Sequence, residues 1–198
     1  MLSDLNNKIT AYRLENNQIP VSDDHLFPHL IGTSPKIAAV LIPLTILDGE
    51  WKVLYTRRTD HVDSHKGQVS FPGGAVEPND LNLTQTALRE TFEEIGLQPN
   101  HIEILGQLPK RRTVSNFHVT PIIGMFESPY EFRPNRFEVQ RIFTVPLRWL
   151  ANSANYISYT YDETSNLVFK YSEYNGEIVW GITAKITLDL IKTLGLLY

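Results

Sequence analysis

The hydrophobic positions change their spacing along the chain, and the changes mark out its elements. Apolar residues over 2–14 are spaced for an amphipathic helix, and a loop through Pro20 and Pro28 follows. Residues 37–46 and 51–56 are dense in Val, Ile, Leu and Tyr, with the turn residues Asp48 and Gly49 between them, so they predict a hairpin. A short strand over 68–71 is expected to stop at Pro72, Gly73 and Gly74. The period then becomes helical over 84–95, where Leu88, Phe92 and Ile95 fall on one stripe at i, i+4 and i+7. Thr84 is the expected N-cap of this helix, and Gly96 stands where helices commonly end in the left-handed conformation. Strand patterns resume at 102–108, 118–125, 142–145, 156–161, 168–171 and 177–180, and a helix over 184–197 closes the chain. Mostly antiparallel-looking strands with helices before, between and after them predict an α+β fold built on a mixed sheet, not a regular βαβ repeat.

Composition adds limits. A chain of 198 residues with 42% hydrophobic content suffices for one core, and no linker or internal repeat divides it. A single domain over 1–198 is expected, with 1–36 as an N-terminal helix and loop and 37–198 as the core. The absence of cysteine excludes disulfides, thiol catalysis and thiolate metal sites, and fits a reducing compartment. The polar N-terminus lacks the basic start and apolar run of a secretory signal. The longest apolar run, 37–47, is broken by Pro43 and falls short of the roughly 20 residues that cross a membrane. The expectation is a soluble cytoplasmic protein without a membrane partner. A net charge of -4 argues against general nucleic-acid binding. A small phosphorylated ligand needs only local cations, and Arg57, Arg58, Lys66, Lys110, Arg111 and Arg112 offer them. The same residues also suit a solvated surface.

The segment with most chemical content runs from Gly73 and Gly74 to Arg89-Glu90-Thr91-Phe92-Glu93-Glu94-Ile95-Gly96-Leu97. On a helix, Glu90, Glu93 and Glu94 are i, i+3 and i+4 neighbours, so three carboxylates share one face and repel by a few tenths of a kcal/mol per pair. Hard oxygen ligands this close suit Mg2+ or Mn2+. A solvent-facing acidic helix partly screened by Arg89 is the alternative reading of the helix alone. The preceding Phe71-Pro72-Gly73-Gly74 favours the metal, because two adjacent glycines let the backbone approach a ligand closely. No Gly-Lys-Ser/Thr follows, so this is not a Walker A loop.

The segment resembles the Nudix box, a glycine followed by an early acidic residue and then Arg-Glu-U-x-Glu-Glu-x-Gly-U, where U is apolar. Gly74, Arg89, Glu90, Glu93, Glu94, Gly96 and Leu97 match, Thr91 replaces the first U, and Asp80 takes the early acidic position with one additional residue before Arg89. That spacing is similar to the coenzyme A pyrophosphatase branch of Nudix enzymes, whose upstream pattern is matched by 54–59 and by Gly67 to Gly74. Thr59 stands for a small residue, and Asp63 falls where the branch usually has arginine. The resemblance spans roughly 37–195, and its later matches are largely packing motifs.

Other readings are weaker. Asp60, His61, Asp63 and His65 have the spacing of a metal cluster, but the resemblance implies a loop there. Ser70 lacks a GxSxG elbow. Trp51, Trp149 and Trp180 suit core or interface positions better than base stacking.

The resemblance implies a Nudix-type α/β/α sandwich with a mixed central sheet. It further implies that Glu90, Glu94 and Glu93, with the Gly73 carbonyl, hold Mg2+ or Mn2+ at a diphosphate. Arg89 would orient the acidic side chains. Glu90 or Glu138 would accept a proton, Glu138 preceding a late strand as in many Nudix enzymes. Arg58, Lys66, Gly67, Gly74, Arg111 and Arg112 would contact substrate. The implied substrate is a small nucleotide diphosphate, coenzyme A or its thioesters cleaved to phosphopantetheine and 3′,5′-ADP. The alternatives are ADP-ribose or another nucleoside diphosphate derivative, and a nucleotide sensor without turnover. A homodimer stays open.

Overall fold

The computed structural model of the chain describes residues 7–8, 34–61, 66–161 and 166–197. Residues 7 and 8 are helical; the rest of the expected first helix, most of its following loop, and Asp63 and His65 lie outside the described residues.

The expected hairpin forms from β1 (Lys36–Leu47) and β2 (Glu50–Arg58), which pair antiparallel from Leu44↔Val53 to Leu47↔Glu50. Asp48 and Gly49 turn the chain with φ of 55° and 71°, the sign that a two-residue hairpin loop requires. Away from this turn the strands diverge, and the next segment enters the gap. There β3 (Val69–Ser70) pairs with Arg57 and Thr56 of β2, and β4 (Gly73–Ala75) pairs with Val40 to Ala38 of β1. The expected stop holds, since β3 ends at Ser70, and the glycine pair then opens a second strand. Its hydrogen bonds to β1 and the bond from the Leu41 amide to the Pro72 carbonyl, 2.8 Å, keep it extended.

After α1 (Leu83–Ile95) come β5 (Ile102–Gln107), β6 (Arg111–Arg112), β7 (Phe117–Phe126) and β8 (Val139–Pro146). Across the sheet β8 lies on β2, β2 on β1, β1 on β7, and β7 on both β5 and β6. Strand β7 runs parallel to β1 while the other pairs are antiparallel, so the sheet is mixed. The parallel pair requires a crossover connection, and α1 is part of it. Both β1 and β7 are buried along most of their length, as strands covered on both faces are.

Two apolar layers account for that cover. Ala87, Ile95 and Leu97 of the α1 region pack on Ala39, Leu41, Leu54 and Ile122. On the opposite face, α2 (Leu147–Ala151) and α3 (Gly181–Thr193) contribute Leu147, Leu150, Ile186 and Leu190 to a cluster with Ile42, Leu44, Val53 and Tyr55. The result is the expected α+β architecture, helices on both faces of a mixed sheet. A separate two-stranded sheet pairs β9 (Tyr156–Tyr161) with β10 (Asn166–Tyr171).

Residues 177–180 are not the expected strand. Asn175 and Gly176, with φ of 51° and 83°, form a tight turn, and only the bridges Tyr174↔Glu177 and Lys170↔Trp180 follow. The last helix begins at Gly181 instead of 184 and ends at Thr193.

Candidate active site

Helix α1 is set by its caps. The Asn82 side chain accepts from the Gln85 amide at 2.9 Å, and Gln85 Oε1 accepts from the Leu81 amide at 2.7 Å. This reciprocal arrangement starts the helix two residues before the expected Thr84, because asparagine with Gln three positions on caps better than threonine. Gly96 ends it in the left-handed conformation, φ 71°, with its amide bonded to the Phe92 carbonyl. The buried residues of α1 are Thr86, Ala87, Thr91, Glu94 and Ile95. Phe92, expected on the buried stripe, is 43% exposed. The inward face is rotated from the apolar stripe, and the rotation brings Glu94 inside at 4% exposure.

Arg89 is the hub of the outer part of the site. Its Nε and Nη2 donate to the two oxygens of Asp80 at 3.0 Å each, Nη2 also to the Ala75 carbonyl at 3.0 Å, and Nη1 to Glu90 at 3.0 Å and Glu93 at 3.2 Å. Charge-assisted, forked bonds of this kind fix orientation. The Arg89 guanidinium, with the Glu77 amide, holds the Asp80 carboxyl well below the usual carboxylate range. Arg89 is itself held more firmly protonated, first by its bond to Asp80. The Thr86 hydroxyl donates to Asp80 as well, so the loop before α1 is tied to the helix. The role of Asp80 as anchor for Arg89 went unassigned in the sequence, although the early acidic position of the box was its signal.

Glu90 and Glu94 lie deeper, under β4. A Cβ on Gly74 would stand 2.5 Å from Glu90 Cδ, so only glycine leaves room for that carboxylate. The Gly73 backbone amide favours the charged form of Glu94. Glu94 Oε1 is 3.6 Å from Arg58 Nη1, and Glu94 Oε2 is buried without a hydrogen-bond partner. Burial pushes the Glu94 carboxyl up to about 8; Arg58 opposes the rise while Glu90 and Glu138 add to it. Glu90 is also raised, chiefly by burial, with Arg89 opposing and Glu93 and Glu138 adding. Glu93 is half-exposed at the solvent side of this pair.

The segment after β7 brings Glu138 to the same place. The amides of Arg133 and Asn135 donate to the carbonyls of Ile95 and Glu94 at 2.9 and 2.8 Å, satisfying groups that a helix end leaves open. A Cβ on Gly96 would stand 2.8 Å from Arg133 Cβ, a measure of how closely the segment passes. Asn135 Nδ2 then donates to Glu138 Oε1 at 3.0 Å, and Thr59 binds the carbonyls of Glu138 and Phe137 at 2.9 and 2.6 Å.

Other expected contacts lie elsewhere. Arg111 forms a two-point ion pair with Asp189 of α3, at 2.9 and 2.8 Å, and Arg112 donates to Asn116 at 2.9 Å. Strand β6 is three strand spacings from β4, about 14 Å. Both side chains are thus engaged within the fold, and their contact with substrate stays an expectation. Lys66 is exposed in the turn before β3, and Gly67 has φ 63° beside Asp60.

Among the described residues, no three His, Asp or Glu side chains already close into a metal cage. The donor set nevertheless suits Mg2+ or Mn2+, which bind through one or two carboxylates and take their remaining ligands from water and phosphate. The partnerless, buried Glu94 oxygen and the glycine cradle at Glu90 are what such an ion would use. Among the described residues no helix is long and apolar enough to cross a membrane.

The family model described as NUDIX domain matches residues 35–161. The chain is 37% identical over 177 residues to the uncharacterized Nudix hydrolase NudL of Yersinia pestis (strain Pestoides F), covering 88% of each, and equally to that of Yersinia pseudotuberculosis (strain IP32953). Among solved structures, a MutT/nudix family protein from Enterococcus faecalis aligns over 96% of this chain and 69% of its own, with TM-score 0.56 and 15% identity. Helices on both faces of a mixed sheet, the carboxylates gathered on α1 beneath Gly74 and these matches place the chain in the Nudix hydrolase family.

Proposed function

We propose that this protein hydrolyses the diphosphate bond of coenzyme A or its thioesters, giving phosphopantetheine and 3′,5′-ADP, with Mg2+ or Mn2+ held by Glu90 and Glu94. The observation that carries the reading is the buried Glu94 carboxylate, one oxygen without a partner, beside a Glu90 accommodated by Gly74. Burying two carboxylates with no cation between them is costly, so the arrangement is built for one. The coenzyme A assignment rests on the box spacing with its additional residue before Arg89 and on the upstream pattern from Leu54 to Gly74.

A bound divalent cation supplies Lewis acidity toward the diphosphate and the attacking water. The chain supplies the rest. Glu90 and Glu94 would hold the ion, while Arg89 fixes Glu90 and Glu93, and Asp80 fixes Arg89. Water attacks one phosphorus, the bridging P–O bond breaks with its electron pair leaving on the departing phosphate, and the water's proton passes to Glu138, since Glu90 is engaged by Arg89. Arg58, 3.6 Å from Glu94, offsets charge on the phosphates. An open groove of about 470 Å3, walled by Leu54, Phe132, Pro134, Arg136, Gln140 and Ile142, lies beside β8, the strand that follows Glu138, and offers room for a part of the substrate beyond the diphosphate.

The test is a panel of coenzyme A, acetyl-coenzyme A, ADP-ribose and nucleoside diphosphate sugars, with products read by mass spectrometry with Mg2+, with Mn2+ and with EDTA. Coenzyme A cleavage that EDTA abolishes supports the reading. Cleavage of ADP-ribose with coenzyme A left intact keeps the chemistry and overturns the substrate, and Asp63 at the usual arginine position makes that comparison pointed. Binding of a nucleotide without any turnover overturns the enzyme.

A further inference from the structure

Arg57 and Arg141 are register partners across β2 and β8, so two like charges start from directly opposed positions. Such pairs repel. Glu177 lies between them, 3% exposed, with Oε2 3.3 Å from Arg57 Nη1 and Oε1 3.1 Å from Arg141 Nη1. Its carboxylate is delivered by the tight turn at Asn175 and Gly176, closed by backbone hydrogen bonds in both directions between Tyr174 and Glu177. The Asn175 carbonyl accepts a further bond from Arg141 at 3.2 Å.

One residue on, the register jumps. Arg57 faces Arg141 but Arg58 faces Val139, which is a β-bulge. Bulges re-aim side chains. Successive residues of β2 alternate faces: Val53 and Tyr55 belong to the α3 side with Arg57, whereas Leu54 belongs to the α1 side with Arg58. Arg58 thus leaves the sheet toward Glu94, and the next residue, Thr59, binds the carbonyls of Phe137 and Glu138. The extra residue, Gln140, lies in β8, so the bulge decides where Glu138 stands relative to Arg58 and α1.

We infer that Glu177 is a positioning residue: by bridging Arg57 and Arg141 on one face of the sheet, it locks the β8 bulge that sets Glu138 against Arg58 and α1 on the other. The kinetic consequence rests on the hydrolase reading above; the structural one does not.

The test uses the full chain and the variants Glu177→Gln and Arg141→Gln. Arg58 Nε is buried without a hydrogen-bond partner and should give a distinct 15N-resolved N–H signal, identified by its loss in Arg58→Lys. In both variants that signal moves while the Arg111 signal, from the ion pair with Asp189, stays in place. In coenzyme A hydrolysis, Glu177→Gln lowers kcat about tenfold with KM within about twofold, and Glu177→Asp recovers part of the loss. In a Glu138→Gln background the same substitution costs less than about twofold, since its route is already cut. If Glu177→Gln does not fold, Arg141→Gln carries the test, because Arg141 is 47% exposed. An Arg58 signal that does not move, or kinetic losses that simply add, overturns the inference. If the wild type cleaves nothing in the panel, the functional reading fails and the spectrum still decides the clamp.

Discussion

Gly74→Ala should separate the site from the fold. A Cβ at Gly74 would stand 2.5 Å from Glu90 Cδ and Oε1 and 2.7 Å from Oε2. Comfortable contact requires about 3.5 Å, so the carboxylate must retreat by about 1 Å. The Gly74 backbone is not in the left-handed region, and the clash is with the end of a side chain, so the strand itself tolerates the methyl. The stability cost is then about 1 kcal/mol or less, the worth of a disturbed, partly exposed ion pair between Glu90 and Arg89. If Glu90 holds the cation as proposed, displacing its carboxylate by about 1 Å costs on the order of 100-fold in rate, or about 2.7 kcal/mol of transition-state stabilisation. Gly73→Ala is the contrast. Its Cβ would meet the Ala39 carbonyl at 2.4 Å and Val40 Cα at 2.5 Å from a backbone with φ 153°, so β4 must leave β1. The pair is compared by thermal unfolding and by kcat/KM for coenzyme A with Mg2+. Gly74→Ala should melt near the wild type and lose activity, whereas Gly73→Ala should lose several degrees or more. Wild-type kcat/KM in Gly74→Ala, or equal destabilisation of the two, would refute the cradle.

Three further outcomes follow from the same geometry. Arg89→Lys keeps the charge but cannot reproduce the fork that binds Asp80, Ala75, Glu90 and Glu93, so kcat/KM should fall about 10- to 100-fold, with near-normal activity counting against the hub. Burial holds the Glu94 carboxyl at about 8, above its unfolded value, so the folded protein binds that proton more tightly and metal-free stability declines as pH rises from about 4 to 8. Glu94→Gln should therefore raise metal-free stability at pH 9 by on the order of a few kcal/mol and change little at pH 4, whereas a pH-independent difference between the two melting curves would contradict this. Arg111→Gln removes the ion-pair partner of the largely buried Asp189 and leaves it only Lys185 and Lys192, so it should cost about 1–3 kcal/mol of stability with KM unchanged; a raised KM at constant Tm would place Arg111 in substrate binding.

The sequence carried the hairpin, α1, its Gly96 terminator and the carboxylates, because each is written in local spacing. It misplaced the buried face of α1. Hydrophobicity pointed to Phe92, but the sheet takes Thr91 and Glu94 instead, and a buried carboxylate is invisible to a pattern built on apolar residues. The role of Gly73 and Gly74 was half legible: close approach was expected, yet their place in a strand wedged between β1 and β2 depends on where those strands diverge, which is a long-range matter. Arg111 looked available because its partner, Asp189, is 78 residues away. Glu177 was hidden for a similar reason, since its neighbours come from β2 and β8 while its own segment was expected to be a strand.

The central claim is that buried carboxylates on α1 hold a cation that cleaves a diphosphate. It is tested most directly by incubating the wild type and Glu94→Gln with coenzyme A and Mg2+ and measuring products by mass spectrometry. The account predicts equimolar phosphopantetheine and 3′,5′-ADP from the wild type and a loss of at least about 100-fold in a folded Glu94→Gln. Intact coenzyme A with the wild type, or the same turnover from both proteins, would contradict it.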